Sequence, residues 1–241
     1  MKMKQLLIAL TCIAILFVTP IVFAADIGVG IDADVNVVLS QDVETQGVEG
    51  ELDIFTTTVG IPISVKDILF LRPFIGAAQV DLEIDEFDLG VESDTGLLFG
   101  VEAELNLYKT AGIAEPLNDI QFSLIGGYER SSLNVDELSL GSFSLVSPLN
   151  VDITYRSWEL GLKASKDLGI ITPYIGVVYG ESDVEYEASL LGITLTETLD
   201  SKDNVGLRCG LVGEILPNVN VALNVELIDK TAIGGRVTYT F

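Results

Sequence analysis

The sequence predicts an all-β fold: an antiparallel up-and-down transmembrane β-barrel of about ten strands, with eight or twelve also compatible. Three observations lead there. The 241 residues are 49% hydrophobic yet carry a formal net charge of −23. After residue 24 no stretch approaches the roughly 18 continuous apolar residues of a membrane helix. The apolar residues instead alternate with polar ones, the period of a strand with two unlike faces.

Residues 1–24 read as a separate object. Lys2 and Lys4 give a positive start, Leu6 to Phe23 is apolar, and Val22-Phe23-Ala24 offers small residues for a signal peptidase. The expectation is a cleaved secretory signal peptide over 1–24 and a barrel over 25–241. Without Lys2 and Lys4, 11 bases remain against 36 acids, a net charge of −25. One cysteine, Cys209, remains after residue 24, so no internal disulfide is expected.

The strands are expected at 26–40, 51–65, 73–87, 95–108, 119–131, 149–164, 172–187, 197–213, 218–229 and 231–241. In the first, Ile27, Val29, Ile31, Ala33, Val35, Val37 and Leu39 alternate with Gly28, Gly30, Asp32, Asp34 and Asn36. In the third, Phe74, Ala78, Val80, Leu82 and Ile84 alternate with Gln79, Asp81 and Glu83; in the fourth, Leu97, Phe99, Val101 and Leu105 alternate with Gly100, Glu102 and Glu104. The sixth changes phase: Val151, Ile153 and Tyr155 lie on one face, Trp158, Leu160 and Leu162 on the other. Either a bulge lies near Arg156 or the upper part stands clear of the bilayer. The seventh is apolar on both faces and its sides stay unassigned. In the eighth, Val205, Leu207, Cys209 and Leu211 alternate with Gly206, Arg208 and Gly210, which places Cys209 toward lipid. The ninth and tenth alternate from Val219 to Leu227 and from Ile233 to Phe241.

The connections fall into two sets. Those around 65–72, 109–118, 165–171 and 214–217 are short and carry bases and prolines; those around 41–53, 85–94, 132–148, 181–203 and 229–230 are mostly longer and acidic. Short turns at one end and long loops at the other, with both termini beside the turns, suit an up-and-down barrel.

A soluble sandwich also alternates. Charged residues inside the strands and the ending Arg236-Val237-Thr238-Tyr239-Thr240-Phe241 favour the membrane. Val237, Tyr239 and Phe241 resemble the assembly signal of bacterial outer-membrane barrels, which implies the barrel-assembly machinery as a partner. Pro73-Phe74-Ile75-Gly76, Pro173-Tyr174-Ile175-Gly176 and Leu124-Ile125-Gly126-Gly127-Tyr128 complete the likeness. The chain after residue 24 resembles the small outer-membrane β-barrel superfamily of Gram-negative bacteria, including opacity-type proteins and the membrane barrel of OmpA-like proteins, without a peptidoglycan-binding domain. The resemblance implies an outer-membrane location among lipid and lipopolysaccharide.

The polar face should line the lumen, with Asp32, Asp34, Asp81, Glu83, Glu102, Glu104, Glu129, Glu159 and Glu226 opposed by Lys163, Arg208 and Arg236. Nine acids against three bases cannot all pair, so water, cations or raised pKa values must accommodate the rest. A lumen filled by its own side chains points to a structural or surface-interaction role; the alternative is a narrow cation-preferring pore. No histidine is present, which removes imidazole from general-base and zinc-ligand roles, and no enzyme activity or cofactor is expected. Nucleic acid is not expected, because the chain lacks a basic surface. Glu181, Asp183, Glu185 and Glu187 share one strand face, where divalent cations could gather; the simpler reading is a solvated acidic edge.

Overall fold

The computed structural model describes residues 27–241 except 46–47, 67, 85, 87, 111–117, 142, 147–150, 191–192, 203 and 228–229. The expected signal peptide therefore lies outside the described residues. Among the described residues fourteen strands form one antiparallel sheet: β1 (Ile27–Thr45), β2 (Val48–Gly60), β3 (Ile63–Val65), β4 (Leu69–Ile84), β5 (Leu89–Ser93), β6 (Gly96–Lys109), β7 (Ile120–Leu140), β8 (Phe143–Val146), β9 (Val151–Lys166), β10 (Ile171–Leu190), β11 (Ile193–Ser201), β12 (Val205–Leu216), β13 (Val219–Leu227) and β14 (Lys230–Thr240). The count differs from the ten expected, for definite reasons. β3 is the end of the expected second strand, set apart at Ile61-Pro62, where proline cannot donate to the ladder. β5, β8 and β11 fall in stretches expected to be loops, and the expected eighth strand, 197–213, divides into β11 and β12.

The sheet closes on itself through β1 and β14, paired from Gly30↔Thr240 to Gln41↔Lys230. At the level of the termini the ring runs β1, β2 with β3, β4, β6, β7, β9, β10, β12, β13, β14 and back to β1. Farther up, β5 replaces β6 between β4 and β7. There β11 also replaces β12, β13 and β14 between β10 and β1. The upper ring therefore has fewer strands, and a barrel's diameter falls with strand number. Four residues at the lower ends of the strands take a left-handed backbone: Lys66, Asp119, Gly169 and Asn218, with φ of 52°, 61°, 91° and 67°.

The polarity of the wall inverts between the two levels. On β2 the even residues point inward throughout: Thr56 and Thr58 below, Leu52 and Ile54 above. The odd residues point outward: Phe55 and Val59 below, Glu51 and Asp53 above. β4 follows the same plan. β1 achieves it with a bulge between Val38 and Gln41, which turns Gln41 and Val43 inward and Asp42 and Glu44 outward. β9 keeps one unbroken register from Val151 to Ser165, so no bulge lies near Arg156. Its Ile153 and Tyr155 fill the upper interior, while Trp158, Leu160 and Leu162 face outward below. On β10, Tyr174 and Val178 face inward, and Ile175, Val177 and Tyr179 face outward.

Two environments result. The lower barrel is apolar outside, with Val35, Phe99, Leu105, Leu162, Val177 and Leu223 among its exposed large side chains, and polar inside. The upper barrel has an apolar interior built from Val43, Leu52, Ile54, Val80, Leu82, Leu98, Leu133, Ile153, Tyr155, Val184 and Leu199. Its outside is acidic.

Candidate functional site

The lower lumen holds an ion network that strand register builds directly. Arg72↔Glu102, Asp34↔Arg236 and Arg208↔Glu226 are opposite pairs on neighbouring strands. Arg72 Nη1 donates to Glu102 Oε1 at 3.0 Å, and Arg236 Nε to Asp34 Oδ2 at 2.7 Å. Arg208 Nε donates to Glu226 Oε2 at 2.8 Å. Longer reaches tie distant strands together. Arg72 spans β2 to chelate Asp32 on β1, with Nε 2.8 Å from Oδ2 and Nη2 2.7 Å from Oδ1. Gly60 makes room: a Cβ there would sit 2.7 Å from both Arg72 Nε and Asp32 Oδ1. Arg236 Nη2 crosses the lumen to Glu102 Oε1 at 2.8 Å, Arg208 Nη1 reaches Glu159 Oε1 at 2.8 Å, and Lys163 pairs with Glu104. Lys163 also lies 5.5 Å from the centre of the Tyr174 ring.

Of the residues expected in the lumen, Asp32, Asp34, Glu102, Glu104, Glu129, Glu159, Lys163, Arg208, Glu226 and Arg236 line its polar part or pair within it. Asp81 and Glu83 do not. They point outward from the upper part of β4, and Phe74, Ala78, Val80, Leu82 and Ile84 fill the interior instead. The alternation was real, but that strand rises above the apolar belt, where the apolar face turns inward.

Two lumen cations were not anticipated. Arg72 falls in the connection expected at 65–72, one residue before the strand expected from Pro73, yet it lies on β4 with its side chain 1% exposed. Lys230 falls in the connection expected at 229–230, yet it begins β14 and its Nζ lies 3.8 Å from Glu226 Oε1. The balance among described lumen residues thus changes from nine acids and three bases to seven acids and five bases (Arg72, Lys163, Arg208, Lys230, Arg236). Each lumen acid except Glu129 has a basic partner within an ion pair; Glu129 accepts from Tyr155 Oη at 3.0 Å.

A cavity of about 590 Å³ with a mixed polar and apolar lining remains inside, from Ser64, Asn106 and Thr240 near the termini up to Glu129 and Ser157. One inward step higher the lining changes: Ser157 gives way to Tyr155, and Thr56 to Ile54, both nearly inaccessible.

The upper exterior is a set of like-charged ladders. Asp53 stands opposite Asp81, Asp81 opposite Glu92, and Glu51 opposite Glu83. Burial, then Glu51, Asp81 and Glu83, push the Asp53 carboxyl above its ordinary 3.8. Glu181, Asp183, Glu185 and Glu187 share the outward face of β10. Arg156 lies among them, with Nε 3.0 Å from Asp183 Oδ2, and pairs with Glu185; Trp158 Nε1 donates to Glu181 at 3.3 Å. The Asp183 carboxyl is raised by burial; Arg156 opposes this, and Asp200 and Glu185 reinforce it. Among the described residues no group of three or more acids or cysteines is placed to hold a metal ion.

Val237, Tyr239 and Phe241 face outward at the lower rim, with the Tyr239 and Phe241 rings edge-on at 5.3 Å. Phe241 N–H donates to Val29 O at 2.9 Å, locking the last residue to β1.

No protein-family model matches the chain, and no curated protein matches it. Solved structures do. The translocator domain of the autotransporter NalP from Neisseria meningitidis is 14% identical, with 90% of this chain and 88% of that one covered and a TM-score of 0.47. The outer-membrane protease OmpT from Escherichia coli is 12% identical over 91% and 98%, with a TM-score of 0.45. Ail, the attachment invasion locus protein of Yersinia pestis, is 11% identical over 89% and 97%, with a TM-score of 0.38.

Proposed function

We propose that this chain is a non-conducting, non-enzymatic barrel of the outer membrane, which anchors a rigid, acidic upper barrel on the far side of the bilayer as a surface for interaction. The membrane part of the reading is supported by the outward belt and the closed ring. In hydrocarbon every backbone group needs a partner, and only a closed sheet gives one to each strand edge. The observation that carries the functional part is the apolar core of the upper barrel. Leu52, Leu98, Ile153, Tyr155 and Val184 are each no more than 1% exposed, and they stand across the path a permeating ion would take. An ion entering that core would lose its hydration without compensation. The remaining cavity is then blind, and its charged side chains are committed to ion pairs or hydrogen bonds between strands.

The chain without residues 1–24, refolded in detergent, should show heat-modifiable gel mobility and then no conductance steps in planar bilayers. Stable cation-selective openings would overturn the sealed reading in favour of the narrow pore.

A further inference from the structure

Arg130 and Arg156 stand directly opposite each other on β7 and β9, both outward. Two guanidinium groups in that position repel, and like charges across a ladder are destabilising. Arg156 is balanced by Asp183 and Glu185. Arg130 is exposed, and among the described residues no hydrogen bond or ion pair engages it. An unpaired guanidinium beside a second one is unexpected on an upper exterior where the neighbouring ladders are built of carboxylates.

Their height explains them. The next outward pair below is Tyr128↔Trp158, about 7 Å down the strands. Below that come Leu160 and Leu162 on β9 and Leu124 on β7. Trp158 packs on Tyr179 of β10 with ring centroids 5.8 Å apart. Up this column the outer wall passes from aliphatic to aromatic to cationic. That order matches a bilayer leaflet from acyl chain through the interface to the headgroup phosphate, since amphipathic aromatic rings settle at the interface. Arginine presents a planar fork of donors suited to phosphate oxygens.

We propose that Arg130 and Arg156 bind the phosphate of an outer-leaflet lipid headgroup, with Tyr128 and Trp158 against the lipid below it. The site rests on the membrane reading above, because it needs the belt in lipid. It goes beyond that reading by giving the barrel a specific lipid contact, on one side only. On this assignment Arg130 has no ion-pair partner among the described residues because its partner belongs to the membrane.

Trp158 is the chain's one tryptophan, so its fluorescence reports on the site in place. The refolded barrel in neutral detergent is titrated with bisphosphorylated lipid A, with the same lipid dephosphorylated, and with inorganic phosphate. Heat-modifiable mobility establishes beforehand that the barrel has formed, so failure of the membrane reading is seen separately. The expected result is a saturable Trp158 response to the phosphorylated lipid at concentrations where the other two give none. R130Q, which breaks no hydrogen bond or ion pair among the described residues, should weaken that response about tenfold. R130Q with R156Q should abolish it. Equal responses to both lipids, wild-type affinity in R130Q, or saturation by inorganic phosphate over the same concentration range would each overturn the proposal.

Discussion

Arg72 and Asp32 meet across an intervening strand, Nη2 to Oδ1 at 2.7 Å, with side chains 1% and 0% exposed. Arg72 also donates to Glu102 and Thr58, so one guanidinium joins β1, β2, β4 and β6. Removing one partner of a buried pair leaves the other charge uncompensated, which costs about 3–5 kcal/mol. R72A should lower the unfolding free energy by that much in urea titrations of the refolded barrel. R72K should recover little, because an ammonium cannot reproduce the fork that holds both Asp32 oxygens. In R72A/D32A the two losses should be clearly less than additive, since the first substitution already destroys the interaction.

The upper barrel is held by its own core, separately from the ion network. L52A or I153A should cost about 2–5 kcal/mol, the range for truncating a buried aliphatic side chain. Hydrogen exchange should locate the damage. Amides of β2, β5 and β11 above the belt should exchange faster, while those of β12, β13 and β14 keep their protection. Uniform acceleration through both levels would mean the two barrels unfold as one unit.

The closed antiparallel ring was legible in the sequence because a period of two survives in nearly every strand. What alternation cannot reveal is which face is inside. Phe74 through Ile84 look the same whether they meet lipid or a core, and only height above the bilayer separates the two cases. A signal was present in β2: within one unbroken run the inward residues change from Thr58 and Thr56 to Ile54 and Leu52, while the outward ones change from Val59 and Phe55 to Asp53 and Glu51. Strand length was a second signal. β7 and β10 run 21 and 20 residues, about twice what a bilayer crossing needs. The partners of Arg72 and Lys230 were out of reach because ion pairs across a barrel depend on register, which is set by pairings between strands far apart in the chain.

The acidic ladders of the upper exterior make stability depend on pH. Asp53 and Asp183 have carboxyl groups raised above 3.8 by burial and by neighbouring acids. A carboxyl with a raised folded pKa binds protons more readily folded than unfolded. Its contribution to stability is complete below 3.8 and is lost as pH rises through the raised value. Lowering the pH from 7 toward that window should therefore raise the urea midpoint of upper-barrel unfolding. D53N, which removes the charge facing Asp81, should gain about 0.2–1 kcal/mol at pH 7 and lose part of the pH dependence. A D53N midpoint equal to wild type at pH 7 would show that the ladder carries no net repulsion.

Cys209 tests the orientation of β12 in the bilayer. Its side chain is outward and exposed in the bare protein, between Leu207 and Leu211 along the strand and opposite Ile175 and Val225 on the neighbouring strands. Arg208 and its ion partners occupy the other face. In lipid the thiol is therefore covered by acyl chains, although no protein atom shields it. A charged, water-soluble maleimide should label the barrel in lipid nanodiscs far more slowly than the urea-unfolded chain, while an apolar maleimide should label both. A shift of one residue in the pairing would turn Cys209 inward and place Arg208 in hydrocarbon, at a cost of about 2–4 kcal/mol near the midplane. Fast labelling by the charged reagent would place this wall of the barrel in water and remove β12 from the belt.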